Sequence, residues 1–193
     1  MRYDRPTRWL HAGIAFGVTA QLGLSLVMSA PDDKDEVLAS GLPLQLFQAH
    51  ELIGFVLLVM LCLHWLWSLS GHVQGGFVHF FPWFSKNRIV TIRNELKEIL
   101  KLKLSDPEKN NALAGAVHGL GLLAATAMAA TGAVIFFNLS DSGHMTRLGE
   151  TFHNIHGFIA PLMWAYFIGH FAISIIHKKM GRKNVKDMFS LFK

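Results

Sequence analysis

Four long apolar stretches separated by polar loops make up most of this chain. They cover residues 9–30, 43–70, 112–138 and 152–177. Each exceeds the roughly 20 residues that an α-helix needs to cross a bilayer. Glu51 is the only Asp, Glu, Lys or Arg inside them, and it lies near an end. The pattern predicts an all-α integral membrane protein: a four-helix bundle forming a single transmembrane domain over residues 1–193.

The first stretch has an alternative interpretation as a cleaved signal peptide. Basic residues precede it, and Met28-Ser29-Ala30 ends it in the manner of a cleavage site. However, the apolar run is longer than a typical signal core, and Pro31 is a poor residue to follow a cleavage site. His11 would also be unusual in a segment destined for removal. A retained first span is therefore favoured.

The loop between the second and third stretches carries a helical pattern of its own. In NRIVTIRNELKEILKLKL, apolar residues recur at helical spacing with basic residues between them: Ile89, Ile92, Leu96, Ile99, Leu100 and Leu104. This predicts an amphipathic helix lying on the cytoplasmic face of the membrane. A solvated helix packed on the bundle is the alternative.

The positive charges are distributed unevenly along the chain. Of 18 Lys and Arg residues, only Lys34 and Arg147 lie in the first and third loops. The positive-inside rule then places both termini and the long middle loop in the cytoplasm. We expect the protein to lie in the bacterial inner membrane. The net charge of +5 follows from this topology and does not indicate nucleic-acid binding. Charged residues make up only 16% of the chain, against about 25% in average soluble domains.

The chain has one cysteine, Cys62, inside the second apolar stretch. It cannot form an internal disulfide, and the sequence has no C-x-x-C-H motif for covalent haem attachment. We expect a buried, inert thiol.

The histidines have a regular spacing in two of the predicted spans. HELIGFVLLVMLCLH begins at His50 and ends at His64, and HGFIAPLMWAYFIGH begins at His156 and ends at His170. Fourteen residues of α-helix return to within about 40° of the starting direction and rise about 21 Å. Each pair therefore shares one helix face at two depths, which is an unusual use of an expensive intramembrane residue.

The predicted topology sorts six histidines by depth. His50 and His156 lie near the periplasmic side, and four lie near the cytoplasmic side: His11, His64, His118 and His170. Tetrahedral zinc needs three or four close ligands, whereas imidazoles facing each other from separate helices suit the axial positions of haem iron. By depth alone, His11 and His64 compete as the partner of His170.

Two further points bear on whether these histidines bind haem. Small residues would leave room for a flat macrocycle between helices: Gly54, Gly121, Gly132 and Gly157. A proton or ion transporter with a histidine relay is the alternative from another class. Only Glu51 would supply such a relay with a second titratable group at these depths.

Three stretches carry a family resemblance: RPTRWLHAGIAFG, FQAHELIGFVLL and FHNIHGFIAPLMWAYFIGHFAISIIH. In this order and spacing the chain resembles, over almost its whole length, the prokaryotic dihaem cytochrome b561 family. That family includes the cytochrome b subunits of nickel-iron hydrogenases and formate dehydrogenases. The resemblance implies two b haems. His50 and His156 would hold the periplasmic one, and His11 and His170 the cytoplasmic one, which leaves His64 as a spare polar group.

The stretch EKNNALAGAVHG extends the resemblance to a quinone. Lys109-Asn110-Asn111 is similar to a Lys-x-Asn that lies by the quinone site in formate dehydrogenase cytochrome b subunits. The candidate quinone site then comprises Asn111, His118 and His64. Alternatively, Asn111 is simply a helix N-cap.

The implied function is membrane electron transfer between a quinone pool, ubiquinone or menaquinone, and a periplasmic redox protein or dehydrogenase subunit. No residue is predicted to be catalytic by itself. A stand-alone quinone-linked cytochrome, acting on a small oxidant or reductant such as superoxide, is the alternative within the family.

Overall fold

The computed structural model describes residues 4–31, 40–70, 76–101 and 112–179. Within them the chain forms six α-helices: α1 (Arg5–Leu24), α2 (Gly41–Leu69), α3 (Gly76–Phe80), α4 (Lys86–Leu100), α5 (Ala112–Phe136) and α6 (Arg147–Lys179). A short 3-10 helix, Pro82–Phe84, lies between α3 and α4. These residues contain no strand, so the all-α prediction is confirmed.

Three of the described helices, α2, α5 and α6, are long and apolar enough to cross a membrane. Helix α1 does not meet the same criterion, because its 20 residues begin with the polar sequence RPTR. The fourth span therefore stays a prediction. The expected extension of this helix to residue 30 was wrong. The backbone N–H of Ser25 bonds to Gln21 O at 3.0 Å and its hydroxyl to Leu22 O at 2.8 Å, which caps the helix at Leu24.

Local capping explains where α1 and α6 begin. The Asp4 side chain accepts a hydrogen bond from Thr7 N at 2.8 Å, and Trp67 Nε1 also donates to Asp4 Oδ1 at 3.2 Å. The second bond ties the start of α1 to the end of α2. Helix α6 begins at Arg147, earlier than the expected residue 152, because Thr146 Oγ1 accepts from Gly149 N at 3.2 Å.

Three pairs of helices pack against each other: α1 with α2, α2 with α5, and α5 with α6. The buried core between them consists of Leu22, Leu61, Leu122, Ala125 and Met163. Trp65 Nε1 donates to Thr126 Oγ1 at 3.0 Å and so links α2 to α5. Among the described helices, α6 packs closely along α5, but its backbone makes little close contact with α1 or α2.

The segment between α2 and α4 folds back onto the bundle. We call residues 78–84 the cover segment; Phe80, Phe81 and Pro82 in it are buried. Its backbone lies against two glycines of α5. A Cβ atom at Gly115 would overlap His79 O, and one at Gly119 would overlap Phe80 O. Small residues one turn apart thus permit a backbone contact that a side chain would prevent.

The predicted loop helix is confirmed as α4 and ends at Leu100, so the expected position Leu104 lies outside the described residues. It packs on the start of α5, where Glu95 Oε2 accepts from Leu113 N at 3.0 Å. Glu95 is only 3% exposed. The helix thus has a polar contact with the bundle in addition to its apolar positions.

The expectation for Cys62 was wrong, since its side chain is exposed on α2. The sequence around Cys62 does not show which side of the helix it lies on, because the lipid-facing and bundle-facing positions of a spanning helix are both apolar.

Candidate functional site

Two pairs of histidines face each other across the bundle. The ring centroids of His11 and His170 are 6.4 Å apart, with 50° between the ring planes. Those of His50 and His156 are also 6.4 Å apart, with 76° between the planes. We call the surroundings of the first pair the His11 layer and those of the second the His50 layer. The helical rise of α6 separates the layers by about 21 Å.

The ring separation can be compared with what a shared metal ion requires. Imidazole nitrogen binds a metal ion at about 2.0–2.1 Å and lies about 1.2 Å from its ring centroid, so two rings facing across one ion have centroids about 6.4–6.6 Å apart. A direct hydrogen bond between two rings would bring the centroids to about 5.3 Å. The spacing in both layers therefore fits two axial ligands of one ion.

The number of available ligands favours a haem over a bare ion. The described residues contain no group of three or more His, Cys, Asp or Glu side chains arranged to hold a metal ion. A haem iron takes only its axial ligands from the protein. Among the described helices, α6 also makes little close backbone contact with α1 and α2, which carry the rings that face it.

A buried polar atom supports the same fit at the His50 layer. Within the described part of the chain, His50 Nδ1 is buried without a hydrogen-bond partner. Such an atom is destabilising unless it binds something. The backbone around it is well fixed, because Gln21 Nε2 donates to His50 O at 2.9 Å.

A hydroxyl group orients the other ring of the His50 layer. Thr131 Oγ1 lies 2.8 Å from His156 Nδ1, and 2.7 Å from the carbonyl oxygen of Ala127 one turn earlier in α5. A carbonyl can only accept, so the hydroxyl hydrogen goes to Ala127 and the Nδ1–H of His156 donates to Oγ1. This tautomer leaves His156 Nε2 with a free lone pair for a metal ion.

The His11 layer is richer in aromatic and imidazole rings. The His118 ring centroid lies 5.3 Å from that of His170, which corresponds to direct contact. Tyr166 stacks on His170 at 5.5 Å with 19° between planes. His64 Nδ1 lies 3.2 Å from Ser68 Oγ, and its ring contacts Phe80 of the cover segment. The predicted site residue Asn111 lies outside the described residues.

The four glycines expected to make room for a macrocycle behave differently. A Cβ at Gly132 would lie 3.5 Å from His156 Cε1, and at Gly157 it would meet nothing within 4 Å. Gly54 lies against the Gln21 side chain. The expectation was wrong for Gly121, where the space is filled by the Tyr166 ring.

Two side chains near the His11 layer received no role in the sequence-based reasoning. His79 belongs to the cover segment and contacts Gly115, one turn before His118. Burial lowers the pKa of His79 below its usual value, and the nearby Arg88 guanidinium lowers that pKa further. The signal in the sequence is FVHFFPWF, which is too aromatic for a solvated loop. Arg8 is only 2% exposed, one turn before His11.

Comparison with known protein families identifies the family of this chain. A family model described as prokaryotic cytochrome b561 matches residues 2–191, nearly the whole chain. The chain belongs to the prokaryotic cytochrome b561 family. The suspected resemblance is confirmed, and with it a membrane protein that binds b-type haem and transfers electrons. Searches of curated proteins and of solved structures give no match.

Proposed function

We propose that this cytochrome b561 binds two b haems and carries electrons between a quinone and a redox partner on opposite sides of the inner membrane. His11 and His170 would hold one haem, and His50 and His156 the other. The observation that carries the proposal is the 6.4 Å ring separation in both layers. In each of the two layers, this separation fits two ligands of one metal ion.

The residues of the chain would hold and tune these groups. Bound haem supplies one-electron redox chemistry between its ferric and ferrous states. The Thr131 hydroxyl fixes the tautomer of His156 in the His50 layer. Arg8, buried one turn before His11, would supply a permanent positive charge that can bind a haem carboxylate.

The quinone would exchange electrons at the His11 layer. Oxidation of a quinol releases protons, so its site needs polar groups close to the electron acceptor and a route to water. His118 contacts His170. His64 contacts Phe80 of the cover segment, and His79 is itself part of that segment. The lowered pKa of His79 favours its neutral imidazole, which can hydrogen-bond to a quinone oxygen.

The proposal also assigns a topology. Helix α1 would be the fourth span, because His11 on it must reach the depth of His170. The basic middle loop and both termini would lie in the cytoplasm. The redox partner, a periplasmic protein or a dehydrogenase subunit, would then meet the His50 layer.

Haem stoichiometry and redox titration test the proposal together. We expect two haems per chain in the protein purified in mild detergent and a titration that resolves two one-electron midpoint potentials. Quinol in proteoliposomes should reduce both haems. One haem per chain would contradict the two-layer assignment. Failure of quinol to reduce a protein with two haems would contradict the quinone assignment alone.

A further inference from the structure

Helix α4 has three distinct sides. Its bundle side carries the buried Glu95. At 100° per residue, Ile89, Leu96 and Leu100 project within about 40° of one another on a second side. Their exposed fractions are 47%, 47% and 84%. This apolar stripe lies outside the membrane-spanning helices, in a segment where exposure to water would be unfavourable.

The third side of α4 is basic. Lys86, Arg93 and Lys97 project within about 40° of one another and centre about 60° from the apolar stripe. All three side chains are exposed. Because this basic ridge lies opposite Glu95, it faces away from the bundle. An apolar stripe bordered by a cationic ridge is the distribution found on helices that lie in a membrane interface.

The depth of α4 agrees with that location. Its contact through Glu95 reaches Leu113, the second residue of spanning helix α5. The middle of α4 therefore lies at the level where α5 begins. Trp83 and Phe84, just before α4, are 36% and 76% exposed. Exposed aromatic rings next to a span end are typical of the membrane–water interface.

We propose that α4 lies in the membrane interface and binds the headgroups of anionic phospholipids. The apolar stripe enters the acyl boundary, and the basic ridge holds the lipid phosphates. The charge of the ridge selects anionic over zwitterionic lipid. Since α4 is bonded to the start of α5 and follows the cover segment, the lipid holds in place the part of the chain that packs against His64.

Hydrogen–deuterium exchange of the full-length, haem-loaded protein in nanodiscs tests this proposal. We compare discs of phosphatidylcholine alone with discs containing an equal share of phosphatidylglycerol. The amides of residues 86–100 should exchange more slowly in the anionic discs. Each ridge residue should slow the exchange in the anionic discs by about two- to five-fold. The triple variant Lys86→Gln, Arg93→Gln, Lys97→Gln should lose the difference between the two lipids while keeping its haem content.

Matched controls distinguish lipid binding from binding of a free anion or of a second protein. Glu98→Gln also changes one charge on α4 but lies outside the ridge, so it should keep the lipid dependence. High salt should weaken the protection. Equal exchange in both lipids, or an unchanged difference in the triple variant, would overturn the proposal. Protection by soluble glycerol phosphate in phosphatidylcholine discs would indicate a free anion, and protection that rises with protein concentration would indicate a second protein. Either result would also overturn the proposal.

Discussion

At the His50 layer a single hydroxyl orients one imidazole, whereas at the His11 layer two further rings contact one imidazole directly. Thr131 bonds His156 at 2.8 Å. His170 instead touches His118 and Tyr166, at 5.3 and 5.5 Å between ring centroids. The two pairs of facing rings nevertheless have the same 6.4 Å separation.

The residues of the two layers suit different tasks under the proposed function. Those of the His50 layer suit holding a cofactor, and those of the His11 layer suit proton exchange. A hydrogen bond from a ligand imidazole fixes its orientation and tunes the metal. Thr131 would have this effect if His156 holds a haem as proposed. Additional imidazoles beside a proposed ligand suit proton-coupled exchange. The His11 layer has these groups. We therefore expect changes in the two layers to have different consequences.

Removal of a ligand should have the largest effect. His50→Ala and His156→Ala should each halve the haem content, because an iron left with one protein ligand is held weakly. The absorption of the remaining haem should stay largely intact. The haem-to-protein ratio from a pyridine haemochrome assay measures this. His153→Ala, an exposed histidine one turn from His156, is the matched control and should keep two haems. Two haems in either ligand variant would refute the pairing.

The second prediction separates His11 from His64. His11→Ala should lose one haem, and His64→Ala should keep both, since the His11 ring faces His170 at the ligand spacing while His64 bonds Ser68. The same haem assay measures the result. Loss of a haem in His64→Ala but not in His11→Ala would reverse the assignment.

Much of the fold was predictable from hydropathy alone. Apolar runs longer than a bilayer thickness define α2, α5 and α6, and helical spacing within the basic loop gives α4. The facing histidines also follow from helical periodicity, because His156 and His170 on one face of α6 must each meet a neighbouring helix. The family resemblance then selected His11 over His64.

The rest depended on tertiary contacts that periodicity does not encode. The cover segment was missed because its position depends on Gly115 and Gly119 admitting a backbone, and glycine is common throughout membrane helices. The role of Thr131 was missed because it requires the relative rotation of α5 and α6. Cys62 was placed on the wrong side because an all-apolar helix gives no signal of its orientation.

The third prediction tests the proton-exchanging character of the His11 layer. His118→Leu and Asn111→Leu should each keep two haems but slow their reduction by quinol. An unmade hydrogen bond in a poorly solvated site costs about 1–3 kcal/mol. At about 1.4 kcal/mol per decade of rate, the slowing is about five- to more than a hundred-fold. Stopped-flow absorption of the haem bands measures it.

The control for this experiment is reduction by dithionite, which does not need a quinone site and should proceed at the wild-type rate. His153→Leu should behave as wild type with quinol. Wild-type quinol reduction in both His118→Leu and Asn111→Leu would place the quinone elsewhere, and the His50 layer with Glu51 would then be the next candidate.

The smallest effect is expected from Thr131→Val, which removes the acceptor for the Nδ1–H of His156 without changing the side-chain size. The bond makes the imidazole more basic and stabilises ferric iron. Its loss should therefore raise one midpoint potential by about 20–60 mV, the equivalent of about 0.5–1.5 kcal/mol. Thr131→Ser should restore the wild-type value, and Thr126→Val, which alters the Trp65 contact instead, should change neither potential. A redox titration that showed the potential falling, or the His11-layer haem shifting in its place, would mean that this hydroxyl does not tune His156.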